Sequence, residues 1–557
     1  MAADEPLHDV GRTGPGSTVT PIRSGGARLA RSAGLIGSAT LVSRVLGLVR
    51  DQTLAYLFGA GNAMDAFNVA FRIPNLVRDL FAEGAMTAAF VPTFTKRLTI
   101  DGRERAWNLG NAVLNALGLV TGVLVVAGIV GAEPLTALFA ASYAGVPGKL
   151  ELTVFLTRLM LPFLTLVALA AVVMGMLNSL ERFFVPALSP AMFNVAMIAS
   201  AVLLVPLMPA LGFPAITAIA VGVVAGGLGQ LALQWPALRR EGFRYEAHLD
   251  LKDPGLREIL TLMGPGTIGL AATQVNLFVN TVLATGEGTG AVSWLNYAFR
   301  LMYLPIGLFG VSIATAALPS LARDAARDQL VGMRETVSRG LRLMMMLNVP
   351  AAVGLMVLAS PIVRLIFERG RFTAEDTAAT AAALLCYAPG LLGYSAVKIA
   401  VPGFYALHDA RTPVTISIAS MAVNVSLNLM LVRVMGYRGL ALGTAVAAIF
   451  NAITLLWLLR RRLGGFDDRR LAVALGKIGT AAGGMGLAVW LVDGALQASW
   501  PTASFWGQSL HLLASIGSGI VSLAIAARLL GIQEFDLACQ GIMDRFARRR
   551  RADSGPV

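Results

Sequence analysis

Long runs of apolar residues recur along most of the chain, and they restrict its possible folds more than any other feature. A run of roughly 18 or more such residues can cross the roughly 30 Å hydrocarbon core of a bilayer as one helix. Backbone groups in hydrocarbon must be satisfied internally, and these runs are too long and continuous for barrel strands. Only 14% of the residues are charged, against about 25% in a soluble domain. The sequence therefore predicts an all-α polytopic membrane protein with about 14 transmembrane helices.

Basic residues concentrate in alternate loops between the predicted spans. One set of loops contains Lys96, Arg239 and Arg460 with basic neighbours, whereas the other set contains few, such as Lys149 and Arg438. Because cytoplasmic loops are enriched in Lys and Arg, this pattern predicts that both termini are cytoplasmic. The same rule accounts for the net charge of +13 without a nucleic-acid partner, and we expect the basic tail to lie near anionic lipid heads.

The chain contains an internal repeat. The segment "NVAFR" at Asn68–Arg72 recurs as "NYAFR" at Asn296–Arg300, 228 positions later (296 minus 68). The segment "TAAFVP" from Thr87 resembles "TAALP" from Thr315 at the same offset. Each half would hold six spans, so the two copies share one orientation in the membrane. Parallel repeats of this kind are typical of transporters, with the substrate path at the interface between the repeats.

The repeat and the loops predict an organisation into two lobes and flanking segments. A flexible cytoplasmic N-terminus precedes an N-lobe of spans 1–6, and a cytoplasmic linker connects it to a C-lobe of spans 7–12. Two further spans and a basic cytoplasmic tail follow. The predicted boundaries are 1–31, 32–237, 238–257, 258–462, 463–530 and 531–557.

Several basic residues are embedded in the apolar spans. Arg44 and Arg50 fall in the first predicted span, Arg300 in the eighth and Lys398 in the tenth. A charge that faces lipid costs several kcal/mol, so such residues face the bundle interior or a water-filled cavity. Facing inward together, they would form a cationic cavity. The planar fork of arginine matches pyrophosphate oxygens, which suits an anionic, phosphate-bearing substrate.

A polar stripe follows one face of the second predicted span. Asp65, Arg72, Asp79 and Glu83 lie at helical spacings along it, and we expect the acidic residues to orient the arginines or to act in gating. An alternative is that these charges only hold helices together, as the pairs Arg50–Asp51 and Arg72–Asp79. Another is that Arg44 or Arg78 extends to the membrane surface.

The sequence lacks the motifs of common enzymes. It contains no HExxH, no GxxxxGK[ST], no GxSxG and no paired-carboxylate loop with ligand spacing. We therefore predict no catalytic residues and no metal site. A membrane enzyme would also need a catalytic acid or base in a large outer loop, and the predicted outer loops are short.

Four segments together resemble a known family. They are "SRVLGLVRD", "DAFNVAFRIPNLVRDLFAEGA", "VSWLNYAFRLMYLPIGLFG" and "VKIAVPGFYALHDARTPV". They are similar to the MurJ (MviN) lipid II flippases of the MOP exporter superfamily, and the likeness runs from about Ser32 to about Leu530. It implies two six-helix lobes around an inward-facing cationic cavity, and a groove for the lipid tail at spans 13 and 14.

The resemblance also implies an activity. The family moves the undecaprenyl-pyrophosphate-linked peptidoglycan precursor from the inner to the outer leaflet of the bacterial cytoplasmic membrane by alternating access. It implies no cofactor, with the membrane potential or an ion gradient as driver, and lipid II, membrane lipids and cell-wall synthesis proteins as partners. The alternative is an exporter of another lipid-linked oligosaccharide or of a small molecule.

Carried over by motif, the resemblance assigns roles to the charged residues. The substrate-binding set is Arg44, Arg50, Arg78, Arg300 and Lys398, and the important acidic positions are Asp65 and Glu83. The residue pattern itself adds Asp51, Arg72 and Asp79, so the predicted gating or charge-pairing set is Asp51, Asp65, Arg72, Asp79 and Glu83. The chain departs from the family at Phe299 and Tyr303, where relatives often carry acidic residues that would pair with Arg300. Some relatives bind sodium through acidic residues of the seventh and eleventh spans. The eleventh span here has Asn424 and Asn428, so we expect no sodium site.

Overall fold

The structure, a computed structural model, describes residues 24–79, 86–247, 250, 253–307, 311–327, 329–501 and 504–537. Nine helices form the first half of the chain. Their bounds are α1 (Ser24–Phe58), α2 (Asn62–Arg78), α3 (Met86–Ile100), α4 (Arg103–Val130), α5 (Ala132–Ala140), α6 (Lys149–Met160), α7 (Phe163–Ser179), α8 (Phe184–Leu204) and α9 (Thr217–Arg240).

Nine more helices form the second half, and two further helices follow. The second half comprises α10 (Pro254–Thr285), α11 (Ala291–Pro305), α12 (Val311–Ala326), α13 (Leu330–Val357), α14 (Ala359–Phe367), α15 (Ala374–Tyr387), α16 (Gly390–Ala406), α17 (Arg411–Met435) and α18 (Tyr437–Leu463). The last two are α19 (Asp468–Ser499) and α20 (Phe505–Leu529). The prediction of an all-α polytopic membrane protein is confirmed.

The predicted number of spans is not established by the structure. Within the described ranges, nine helices are long and apolar enough to cross a membrane, and the bent pair α15–α16 makes a tenth. The predicted second and eighth spans each correspond to two described helices, α2 with α3 and α11 with α12. Positions 80–85 and 308–310, between the helices of these pairs, lie outside the described residues.

Other predicted spans contain a break that the apolar pattern did not indicate. The third span is divided at Gly131 into α4 and α5, and the fourth is divided just before Phe163 into α6 and α7. The ninth and tenth spans contain the corresponding breaks, before Ala359 and Gly390. Pro162 and Pro389 precede α7 and α16, and proline removes a backbone donor from the helix. The two halves therefore share their helix breaks as well as their motifs.

The two halves meet around α2 and α11. One large buried cluster contains residues from both, including Phe67 and Val69 of α2 and Tyr297 and Leu301 of α11. The helices α19 and α20 pack against each other, and α19 packs against α13. A smaller buried cluster at that junction includes Leu341, Ile478 and Ala527. The last two helices are thus attached to the outside of the second half, away from the contact between the halves.

Candidate functional site

A carboxylate held between two arginines lies at the contact between the two halves. Asp51 of α1 accepts hydrogen bonds from the Nε and Nη2 atoms of Arg50 at 3.1 and 2.9 Å. It also forms an ion pair with Arg300 of α11. Arg50 donates from Nη1 to the Oδ1 atom of Asn194 in α8 at 3.0 Å. The Asp51 side chain is 9% exposed, whereas that of Arg300 is 42% exposed and so remains accessible.

A third arginine adds positive charge to this centre. Arg72 of α2 donates to the Oδ1 atom of Asn296 in α11 at 3.4 Å, and it lies within electrostatic range of Arg300. Asp79 acts on Arg72 only at longer range. Three guanidinium groups therefore converge from α1, α2 and α11, and a single carboxylate, that of Asp51, contacts two of them. The centre keeps an excess of positive charge, which can attract an anion.

Two more of the predicted cations have no described ionic partner. Arg44 is exposed, and its guanidinium group lies against Gly307, two residues after the end of α11. Lys398 is exposed on α16, one helical turn from Tyr394 and on the same face. Within the described ranges, neither residue has an ion pair with a carboxylate.

Arg78 and Asp79 lie at the end of α2. Arg78 donates from Nε and Nη2 to the Oδ1 atom of Asp79 at 3.0 and 2.7 Å. The structure therefore places Arg78 in a pair with its chain neighbour, and its role in substrate binding stays a prediction. Glu83 lies outside the described residues.

Asp65, on the predicted polar stripe, belongs to a different environment from the arginines. It is buried and accepts a hydrogen bond from the Nζ atom of Lys149 at 3.0 Å. It also accepts from the backbone amides of Gly290 and Ser293 at 2.7 and 3.1 Å, and from the Ser293 hydroxyl at 2.7 Å. We call these four residues the interlobe latch, because they connect α2 and α6 to the start of α11.

Further hydrogen bonds join the halves beside the latch. The Nδ2 atom of Asn68 donates to the Ser293 hydroxyl at 3.1 Å, and the Thr289 hydroxyl donates to the Oδ1 atom of Asn62 at 2.8 Å. All of these contacts lie where α1 ends and α2 begins, whereas Arg44 lies 14 residues before the end of α1 (58 minus 44), about 21 Å along the helix. The cleft between the halves is therefore closed at the latch end, and its exposed arginines lie away from that end.

Aromatic rings form the wall of the second half next to the arginines. Phe299 contacts Tyr303 and Tyr387 at centroid distances of 5.8 and 5.4 Å, and Tyr303 contacts Tyr394 at 6.4 Å. Tyr387 is within electrostatic range of Arg72, and Tyr303 is 41% exposed. We call these four rings the aromatic wall. The sequence analysis treated Phe299 and Tyr303 only as missing carboxylates, although two aromatic residues flanking an embedded arginine were visible in the motif.

A cluster of neutral amides occupies the region in which sodium was considered. The Nδ2 atom of Asn428 donates to the Oδ1 atoms of Asn280 and Asn424 at 2.6 and 3.0 Å, and Asn424 donates to the Thr444 hydroxyl at 3.3 Å. These side chains carry no negative charge and bond to one another. In the described parts of the chain, no group of three or more His, Cys, Asp or Glu residues could hold a metal ion.

Comparisons with known proteins agree with one another. The protein-family model described as "Lipid II flippase MurJ" matches residues 54–510. The "Probable lipid II flippase MurJ" of Vibrio cholerae is 36% identical over 92% of this chain and 98% of the relative. The "Lipid II flippase MurJ" of Burkholderia cenocepacia is 37% identical over 77% of this chain and 83% of the relative.

Solved structures show the same likeness. The "Lipid II flippase MurJ, inward closed conformation" superposes with a TM-score of 0.74 at 25% identity, covering 89% of this chain and 99% of that one. An inward-facing "multidrug resistance MATE family transporter of the MOP superfamily" superposes with a TM-score of 0.65 at 15% identity. The match covers 78% of this chain and 98% of that one. The second likeness concerns the fold alone.

Proposed function

The chain belongs to the MurJ family of lipid II flippases, and we propose that it moves lipid II from the inner to the outer leaflet through the cleft between its two halves. It is a transporter rather than an enzyme, and a multi-pass protein of the bacterial inner membrane. Lipid II carries a diphosphate between its undecaprenyl chain and its sugars. The cleft supplies groups of the kind that bind such a diphosphate.

The observation that carries this proposal is the excess of arginine over carboxylate. Arg50 and Arg300 pair with Asp51, and Arg72 lies within electrostatic range of Arg300. Arg44 and Lys398 are exposed without a described ionic partner. Guanidinium groups bind phosphate oxygens through paired, charge-assisted hydrogen bonds. An exporter of cationic drugs would need carboxylates in this place, so the geometry favours an anionic, lipid-linked substrate.

The interlobe latch supports an alternating-access mechanism. Helices α9 and α18 end in the basic residues Arg239–Arg240 and Arg460–Arg462, and the positive-inside rule favours the cytoplasm for that side. We infer that the termini are cytoplasmic and that the latch closes the periplasmic side. Lipid II would enter while the latch is closed, and release to the outer leaflet would require the latch to open.

The membrane potential is a suitable driver for this step. When an anion moves outward across a membrane with a negative interior, its free energy falls by about 2.3 kcal/mol per elementary charge per 100 mV. The diphosphate of the substrate would respond to this field, and we propose that the potential or an ion gradient drives transport without a cofactor. Membrane lipids and cell-wall synthesis proteins complete the partners that we propose.

Depletion of the protein from cells tests the proposed function. The measurement is the amount of lipid II in each leaflet, determined with a reagent that reaches only the outer face. We expect lipid II to accumulate on the cytoplasmic side while export stops. If lipid II still reached the outer face at the normal rate, the substrate assignment would be wrong, and an exporter of another lipid-linked oligosaccharide would replace it.

Cross-linking beside the latch should stop transport reversibly. The hydrogen bond between Thr289 and Asn62 spans the two halves, so Asn62→Cys/Thr289→Cys in a background without Cys386 and Cys539 should react with a short bis-methanethiosulfonate reagent. We expect the treated double variant to lose lipid II translocation and to regain it after reduction. The two single cysteine variants, treated alike, are the controls. Full activity of the cross-linked protein would mean that the latch does not need to open.

Removal of an aromatic wall ring should affect the sugar-bearing substrate selectively. Aromatic faces pack against sugar rings, and for one such contact we take the value of about 0.5–1.5 kcal/mol that a favourable pair of aromatic rings contributes. We expect Tyr303→Ala to weaken lipid II binding about 2- to 10-fold and to leave undecaprenyl pyrophosphate binding nearly unchanged. Binding of both lipids to the purified protein measures this difference. An equal loss of affinity for the two lipids would show that the Tyr303 ring does not contact the sugars.

A further inference from the structure

A second charged cavity lies far from the cleft, where α13, α19 and the segment after α20 meet. It has a volume of about 530 Å³. Four basic and two acidic side chains line it, and the basic ones are Arg342, Arg469, Arg470 and Lys477. We propose that this cavity binds the phosphate headgroup of an anionic phospholipid of the cytoplasmic leaflet.

One side of the cavity is held in place by a largely buried ion pair. Arg342 of α13 pairs with Glu534 at 2.7 Å, and their side chains are only 18% and 10% exposed. Arg342 also donates to the Ser338 hydroxyl at 3.1 Å. Because this pair connects α13 to the segment after α20, it gives the cavity a defined shape. Glu534 is neutralised by this contact, so it does not cancel the charge of the other basic residues.

The free cations come from one face of α19. Arg470 is held only by the exposed Asp467 at 3.3 Å, whereas Arg469 and Lys477 have no carboxylate partner in the described parts of the chain. Arg469 and Lys477 are eight residues apart, which puts them on the same side of the helix, about 12 Å from each other along its axis. Four basic residues therefore face two carboxylates, and the cavity keeps a positive charge.

Apolar side chains in the same cavity favour a lipid over a soluble anion. Val473 is 51% exposed and lies on α19 between Arg469 and Lys477. Ala474 and Ile532 also line the cavity, and Ile532 belongs to the buried cluster beneath it. A free phosphate would leave Val473 in contact with water. A phospholipid headgroup would place its phosphate between the cations and its glycerol and first acyl carbons against Val473.

The position of the cavity fits a lipid headgroup. The cavity lies at the start of α19 and the end of α20, which is the side of the molecule where basic residues concentrate. Basic residues near the cytoplasmic surface gain about 1 kcal/mol each from anionic lipids. Since α13 belongs to the second half and α19 and α20 stand outside the repeat, a bound lipid would fasten the last two helices to that half. The placement on the cytoplasmic side rests on the orientation inferred for the proposed function.

Lipid-dependent thermal stability of the purified full-length protein tests this site. The protein is held in neutral detergent and titrated with dioctanoyl phosphatidylglycerol, and the melting temperature Tm is followed. We expect Arg469→Gln/Lys477→Gln to need about 30-fold more lipid than the wild type for the same rise in Tm. Arg239→Gln/Arg240→Gln is the matched control, because it removes two exposed charges from the same side outside the cavity, and it should respond like the wild type.

The possible outcomes distinguish a phospholipid from a soluble phosphate as the ligand. A wild-type response of the double variant would overturn the site. An equal rise in Tm with inorganic phosphate or glycerol phosphate would replace the lipid by a soluble phosphate and overturn the proposal in its present form. Both substituted residues lack described ionic partners, so we expect the variant to fold, and Arg469→Gln alone, with a shift of about 5-fold, is the fallback. Transport is not part of the readout, so failure here leaves the flippase proposal untouched.

Discussion

Arg300→Ala is expected to abolish lipid II translocation while the protein still folds and inserts into the membrane. The residue supplies one of the guanidinium groups around Asp51, and its side chain is 42% exposed, so the helix packing does not depend on it. Loss of one partner from a charge-assisted contact costs about 2–5 kcal/mol. Each 1.4 kcal/mol is about a factor of ten in affinity, so the affinity for the diphosphate would fall by about 1.5 to 3.5 orders of magnitude.

Complementation measures this effect. Cells that depend on the plasmid-borne variant should stop growing when the chromosomal copy is depleted, although immunoblots of the membrane fraction show normal amounts of protein. Arg364→Ala is a suitable control, because the Arg364 side chain is 45% exposed and pairs with Glu368 outside the cleft. It should support normal growth.

Related substitutions extend the same test. Arg50→Ala should fail as well, because Arg50 contacts both Asp51 and Asn194. Arg300→Lys should also fail, since an ammonium group cannot bind two phosphate oxygens in the planar geometry of a guanidinium. Normal growth with both alanine variants would remove the basis for a diphosphate site in the cleft.

The membrane fold followed from the sequence because hydrocarbon imposes one simple requirement. Long apolar runs have to be helices, and arginines within them have to face inward. This reasoning identified Arg50 and Arg300, which the structure places around Asp51. It did not reveal the break between α4 and α5 at Gly131, because the residues on both sides of that position are apolar. Hydropathy alone does not show where the axis of a helix changes direction.

The latch could not be found from side-chain spacing. Asp65 lies on the same stripe as Arg72, so the pattern placed the two residues together. Two of its partners are backbone amides at the start of α11, and a helix N-terminus offers unpaired N–H groups whatever its sequence. The one available signal was Lys149, a single basic residue in a set of loops that contains few. The aromatic wall was missed for a different reason, since aromatic residues in a membrane helix are ordinarily packing.

Lys149→Met is expected to cause the largest loss of stability among single substitutions at the latch. The ion pair between Lys149 and Asp65 is almost completely buried, with side-chain exposures of 2% and 0%. Removal of one partner from such a pair leaves an uncompensated charge and costs about 3–5 kcal/mol. The midpoint of thermal unfolding of the purified protein should therefore fall clearly. Lys96→Met, which breaks the exposed pair with Glu258, should change stability by about 0–1 kcal/mol.

A double variant separates the cost of a lone charge from the value of the pair. In Asp65→Asn/Lys149→Met both charges are gone, and the asparagine oxygen can still accept from the amide and hydroxyl of Ser293, whereas the Gly290 amide, which donates to the other carboxylate oxygen, loses its acceptor. Because most of the cost in the single variant is an unpaired buried carboxylate, we expect the double variant to be more stable than Lys149→Met alone. If the two were equally unstable, the loss would come from the ion pair itself, which joins α2 to α6 within the first half. In either case, opening of the latch separates Asp65 from Gly290 and Ser293 of the second half, and the energy for that separation would have to come from the substrate or the membrane potential.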